Sequence, residues 1–343
     1  MLAPTLLALA AAAAVTAPPA EDAAIDARSR DMMTTRVTIA IAGAPDDVRE
    51  RAFAEAFAAF ERVEVAMNEW RPGTPLALVN AAAGSRRGVA APADLCDALG
   101  SGLEGARRTG GLFDPTWAAV RDLWKFDASH RGTVPPRAAL ARACALVSWR
   151  DVQLLPRGDA CTVRLPRKGM RLGLGGLAKG WGVDRAVARL RALGLADFFV
   201  QAGGDLYAAG RRSGRPWRVG IRDPRGEADD VLGLVEVSDA AFSTSGDYER
   251  WFEVDGVRYH HLLDPRTCEP ARASEQVTIL APTAVAAEVL TKAAFIRGGE
   301  AAVALAEREG ATAVVVDAAG RIHASRALAD RIGWTERAPP SRR

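Results

Sequence analysis

Four stretches of the chain carry residue types and spacings that can do chemistry. The first is Leu174-Gly175-Gly176-Leu177-Ala178-Lys179-Gly180. Its glycines permit tight turns and close approach of a ligand to backbone N–H groups. A helical pattern follows at once, and a helix N-terminus attracts anions. Lys179 adds a point charge suited to phosphate. The combination predicts a phosphate or diphosphate cradle. The spacing is neither that of a Walker A loop nor that of a GxGxxG turn after a strand. The plain alternative is a glycine turn beside a solvated lysine.

The second stretch, Phe242-Ser243-Thr244-Ser245-Gly246-Asp247-Tyr248, gathers hydroxyls and a carboxylate. As a loop it can offer several hydrogen bonds to a polar ligand, or it can be an ordinary Ser/Gly turn. The third, His260-His261-Leu262-Leu263-Asp264-Pro265-Arg266-Thr267, holds two of the four histidines. A histidine can serve as general base toward a hydroxyl. Asp264 can orient it, bind a metal or simply make a turn with Pro265. The fourth, Gly110-Gly111-Leu112-Phe113-Asp114-Pro115-Thr116, leads into Trp117, Trp124 and Phe126. These rings can stack on a planar ligand or fill a core.

The elements that must position these residues follow from periodicity. Alternation predicts strands over 36–41, 151–155, 161–165, 198–201, 217–222, 231–237, 257–263 and 313–317. Three- and four-residue spacing predicts helices over 46–67, 94–108, 138–147, 181–193, 284–297 and 299–309. Helices and strands mix without a βαβ rhythm. The expected class is α+β, with mainly antiparallel sheets flanked by helices in one large domain of two lobes.

The chain has 343 residues, 49% apolar, enough for a sizeable core. Its 45 basic and 42 acidic residues leave a net charge of +3, which gives no electrostatic case for nucleic acid. Cys96, Cys144, Cys161 and Cys268 form no CxxC pair and have no histidine at ligand spacing, which argues against structural zinc. A disulfide framework is not expected in a chain of this size, one bridge at most. Residues 1–20 form an apolar leader resembling the core of a secretory signal, with Val15-Thr16-Ala17 as a cleavage motif but no Lys or Arg before Arg28. The expectation is a periplasmic or exported protein, with a cytoplasmic one as the alternative, and peripheral or no membrane association. Residues 21–30 read as a linker, 31–335 as the functional domain and 336–343 as a basic tail.

Taken in order, the motifs resemble the FAD:protein FMN transferase (ApbE) family. They are Met32-Met33-Thr34; Asn68-Glu69-Trp70 ahead of Pro72 and Asn80; and Phe113-Asp114-Pro115-Thr116. Leu174 to Asp184, Gly203-Gly204-Asp205, Thr244 to Tyr248 and His261 to Thr267 complete the series. The resemblance implies FAD as substrate and Mg²⁺ as cofactor, with FMN moved to a Ser or Thr hydroxyl of a target protein, such as a respiratory electron-transfer subunit. It implies FAD contacts from Met32, Trp70, Phe113, Asp114, Gly173, Lys179, Thr244 and Ser245. His261 matches the family's base, and Lys179 stands beside it as a catalytic residue. Gly176 and Glu288 fall at metal-ligand positions.

The chain also departs from that pattern. Gly173 stands where the family has Asp, and Cys268 where it has a turn glycine. A late helix carries Glu288 and Lys292 where relatives place a metal-binding Asp and Thr. A protonated lysine repels a cation, so the Lys292 ammonium is expected in or near the metal's space. Three other outcomes stay open: FAD hydrolysis, flavin binding without catalysis, and a shifted register that leaves Glu288 and Lys292 as a surface pair.

Overall fold

The computed structural model describes residues 25–126, 132–212 and 214–336. The leader expected at 1–20 and the tail after residue 336 lie outside them. In chain order the strands are β1 Ile25–Met32, β2 Thr35–Ala42, β3 Val89–Ala91, β4 Gln153–Arg157, β5 Ala160–Arg164, β6 Phe198–Ala202, β7 Asp205–Ala209 and β8 Trp217–Arg222. They continue with β9 Val231–Val237, β10 Ala240–Gly246, β11 Trp251–Val254, β12 Val257–His260, β13 Ser274–Ala281, β14 Thr312–Asp317, β15 Ile322–Ala324 and β16 Ile332–Trp334. The helices are α1 Asp46–Met67, α2 Pro75–Ala81, α3 Ala93–Arg108, α4 Arg137–Cys144, α5 Ala178–Ala192, α6 Ala284–Arg297, α7 Gly299–Arg308 and α8 Arg326–Ala329.

The large sheet runs β1-β2-β6-β7-β10-β13-β14-β15. Its neighbours all pair antiparallel, as do those of the small sheets β16-β9-β8 and β3-β5-β4. This is the α+β class expected from the pattern. One face of the large sheet is covered by α1, α5, α6 and α7, sharing a core with Phe53, Phe57, Phe60, Leu190 and Phe295. The other face packs on β8, β9 and β16 through Phe199, Trp217 and Phe242. A further cluster joins α2, α3 and the β3-β5-β4 sheet to the glycine-rich segment through Leu95, Leu99, Leu174 and Leu177.

Two expectations need correction here. Most of the stretch read as a linker is strand: Ile25–Met32 pairs with β2 across a turn at Met33 and Thr34, both left-handed. It is an edge strand with mostly half-exposed and exposed polar residues, so the core leaves little mark on it. The cysteines are all bridged, Cys96 to Cys161 and Cys144 to Cys268. Partners 65 and 124 residues apart meet only in three dimensions. The first bridge ties α3 to β5. The second ties the end of α4 to the turn after β12.

Candidate active site

Helix α5 begins at Ala178 and so carries Lys179 in its first turn. The Lys179 Nζ donates to Glu288 Oε1 at 2.6 Å and lies 3.0 Å from Asp205 Oδ2. Glu288, on α6, is 0% exposed, and its Oε2 accepts the Gly180 N–H at 2.8 Å. One turn further on, Lys292 places its Nζ 3.4 Å from Glu288 Oε1. Asp205 opens β7, and its other oxygen accepts the Ser243 hydroxyl. Two ammoniums and two carboxylates thus balance in a buried cluster, the condition under which buried charge is tolerable. Burial opposes the charge on Lys179, but Asp205 and Glu288 outweigh it and hold the lysine above its ordinary range. Burial pulls Lys292 below that range, with Lys179 adding to the effect and Glu288 and Asp205 opposing it.

The cluster depends on close packing of α5 and α6. A Cβ on Gly180 would stand 2.6 Å from the Ala284 carbonyl oxygen, so only glycine allows the approach. Asp184, one turn along α5, accepts the Ala284 and Val285 N–H groups at 2.8 and 3.0 Å. It thereby caps the start of α6 together with Thr283, whose hydroxyl accepts the Ala286 N–H. Ser245 donates to Thr291 at 3.0 Å, and Thr291 donates to the Glu288 carbonyl, which ties α6 to β10.

The glycine-rich segment walls the cluster. A Cβ on Gly176 would lie 3.2 Å from the Phe113 ring and 4.0 Å from Lys292 Cε, so these three adjoin. Upstream, Gly173 donates to the Pro115 carbonyl, and its own carbonyl accepts from Trp117 Nε1 at 2.9 Å. A Cβ on Gly173 would meet Trp117 and Ala118 at 2.9 Å, which leaves no room for a carboxylate side chain. Arg121, just after Ala118, stacks 4.2 Å over the ring of Trp70, which is 66% exposed. Asn68 bends the chain there by accepting the Trp70 and Arg71 N–H groups. Met32 is half-buried at the end of β1.

The two adjacent histidines do different things. His260 is buried; its Nε2–H donates to the Ala271 carbonyl at 2.8 Å, and its Nδ1 accepts the Leu262 N–H. Both nitrogens are therefore engaged, and the ring is structural. His261 is half-buried, and its Nδ1 is shielded from water without a hydrogen-bond partner among the described residues. Burial, then the charges of His260, Arg250 and Lys292, lower its pKa to about 3; burial lowers that of His260 to about 4. Each histidine therefore takes up a proton on unfolding below its ordinary pKa of about 6.5. Their contribution to stability is full above that value and is lost as pH falls toward about 4 and then 3. Burial of Asp184 raises its pKa to about 6, so it acts oppositely between that value and 3.8. The urea midpoint is expected to fall from pH 7 to pH 4, and less steeply in His261→Ala. Equal slopes in the two proteins would refute the assignment.

The model of the ApbE family matches residues 33–316. The chain is 36% identical over 295 residues to the FAD:protein FMN transferase of Treponema pallidum, covering 82% of this chain and 81% of that one. The chain belongs to the ApbE family. Its fold superposes on the ApbE protein of Thermotoga maritima with a TM-score of 0.80 at 30% identity, over 89% of this chain and 98% of that one. It also matches the flavin transferase ApbE of Vibrio cholerae with a TM-score of 0.77 at 26% identity, over 88% and 97%.

Within this ApbE fold the expected residues do not all share one task. Lys179, Gly176, Phe113, Glu288 and Lys292 converge, and His261 feels the charge of Lys292. Trp70 and Gly173 lie on the adjoining wall, linked through Trp117, Ala118 and Arg121. Asp114 has both oxygens engaged, by the Thr116 N–H and hydroxyl and by the Trp149 N–H, so it shapes its own turn. The stretch 242–248, read as a loop, is mostly the central strand β10; Ser245 is buried, and Thr244 pairs with Thr278 across the sheet. The surface-pair reading of Glu288 and Lys292 fails, because Glu288 is wholly buried. The metal set implied by Gly176 and Glu288 does not fit Mg²⁺, because both Glu288 oxygens already serve two ammoniums and an N–H, and those ammoniums repel a cation. Asp205 and Asp184 received no site role from the sequence, although each ends a motif that was read: Gly203-Gly204-Asp205 and the segment 174–184.

Proposed function

We propose that the protein transfers FMN from FAD to a Ser or Thr hydroxyl of another protein. The observation that carries this reading is a shielded histidine nitrogen, without a partner among the described residues, within the electrostatic reach of a lysine cluster walled by a glycine-rich helix start. The acceptor oxygen bonds to the FMN phosphorus as the bond from that phosphorus to the bridging oxygen breaks. AMP leaves with the bridging oxygen, and the hydroxyl proton passes to His261. A neutral His261 is ready to accept it, and an approaching diphosphate raises its basicity. The glycine segment and the lysines hold the diphosphate in line, which is most of what phosphoryl transfer asks of a protein.

Purified protein mixed with FAD and a candidate acceptor tests this. Flavin fluorescence on the denatured acceptor band, with AMP released in equal amount, is the expected result. Free FMN with AMP would show hydrolysis instead. Intact FAD retained by the protein would show a binder without transfer.

The same reading includes export. Two disulfides bridging all four cysteines suit an oxidising compartment, and the apolar leader at 1–20 agrees with that. Among the described residues no helix is long and apolar enough to cross a membrane. An acceptor on the same side of the membrane follows. Thiol alkylation of the protein in its native cells should find the four cysteines blocked until a reductant is added.

A further inference from the structure

The two lysines at the cluster are not equivalent. Lys179 is clamped by Glu288 Oε1 at 2.6 Å and Asp205 Oδ2 at 3.0 Å. Lys292 meets Glu288 only at 3.4 Å, beyond the usual range of an N–H···O bond. An ammonium carries three donors. Its stem runs along the glycine-rich segment, with Cε 4.0 Å from the place of a Cβ on Gly176, and its side chain is 20% exposed. Lys179, 26% exposed, is thus committed by distance to the two carboxylates, while Lys292 retains donors beside the glycine-rich segment. Glu288, wholly buried and fully engaged, orients Lys292 from one turn earlier on the same helix. The ligand geometry that excludes Mg²⁺ is the same geometry that installs this charge.

We infer that Lys292 is the built-in cation of this site, meeting the FAD diphosphate directly and making transfer independent of a divalent metal. This rests on the reading of the protein as an FMN transferase. An anionic diphosphate favours the charged form of Lys292, and three rotatable donors can follow the phosphate oxygens as the leaving group departs. Lys292 is then a catalytic residue, because it touches the substrate where charge builds up.

The test uses the full chain, with FAD as the probe, in EDTA and in excess Mg²⁺. FAD affinity and transfer rate are both read, for the wild type, Lys292→Met and Lys292→Arg. The wild type is expected to bind FAD and transfer FMN equally in both buffers. Lys292→Met should weaken FAD binding by about tenfold or more, the loss of one charge-assisted hydrogen bond. Lys292→Arg should restore most of that affinity, which a merely structural defect would not allow. Transfer or binding that vanishes in EDTA and returns with Mg²⁺ overturns the inference and leaves the transferase reading intact. Unchanged affinity in Lys292→Met overturns it as well. FAD binding without FMN transfer in either buffer refutes the transferase reading, while the affinity series still decides whether Lys292 meets the diphosphate.

Discussion

Replacing His261 with Ala is expected to lower the rate of FMN transfer by about 10²–10⁴-fold while FAD still binds. The separation of the two effects comes from position. On the proposed mechanism the lysine cluster and the glycine segment hold the FAD diphosphate, and His261 is needed only when a hydroxyl loses its proton. Among the described residues its Nδ1 has no hydrogen-bond partner, so the substitution leaves no partner of that nitrogen unsatisfied. Fluorescence titration with FAD should give a dissociation constant near that of the wild type, and single-turnover labelling of the acceptor should give the rate loss. A variant that labels at the wild-type rate would remove His261 from the chemistry. Substitution of His260, whose ring nitrogens hold Ala271 and Leu262, is expected to act through the fold instead.

The second large effect concerns the bridges. Closing loops of 65 and 124 residues stabilises a chain by about 4 and about 5 kcal/mol respectively on a chain-entropy estimate. Removing Cys144–Cys268 through a Cys144→Ala and Cys268→Gly double substitution should therefore move the urea midpoint well down. The choice at 268 matters, because Cys268 has φ 59°, in the left-handed region. Alanine there keeps the strain that glycine relieves, a difference of about 1 kcal/mol. A double variant with Ala at 268 should accordingly be less stable than the one with Gly. A midpoint that ignores the bridge would mean that the turn after β12 is held by the rest of its packing, including the bond from Trp124 Nε1 to the Cys268 carbonyl.

How far the sequence spoke for the structure depended on what each segment buries. Strongly periodic segments with clear ends, 46–67, 217–222, 231–237 and 284–297, form elements with those same bounds. In α1 this follows because Phe53, Phe57, Phe60, Val63 and Met67 all face the core, with Pro45 before them and Asn68 after. β10 was missed because its core-facing hydroxyls look like loop chemistry. Ser243 and Ser245 can be buried only because Asp205 and Thr291 engage them. β7 and β13 are nearly or wholly buried and offer little alternation to read. Lys179, His261, Glu288 and Lys292 stand out in the sequence through ordered motifs. That Glu288 lies within reach of both lysines depends on the α5–α6 contact at Gly180, which no local pattern encodes.

The two bridges interleave along the chain: Cys96, Cys144, Cys161 and Cys268 pair first with third and second with fourth. Every peptide bond between Cys96 and Cys268 is therefore spanned by at least one bridge. A protease that cuts once anywhere in that interval severs the backbone without releasing a fragment. The nicked molecule would run as one band on a non-reducing gel and as two after reduction, and its lysine cluster and histidine would stay tethered through the break.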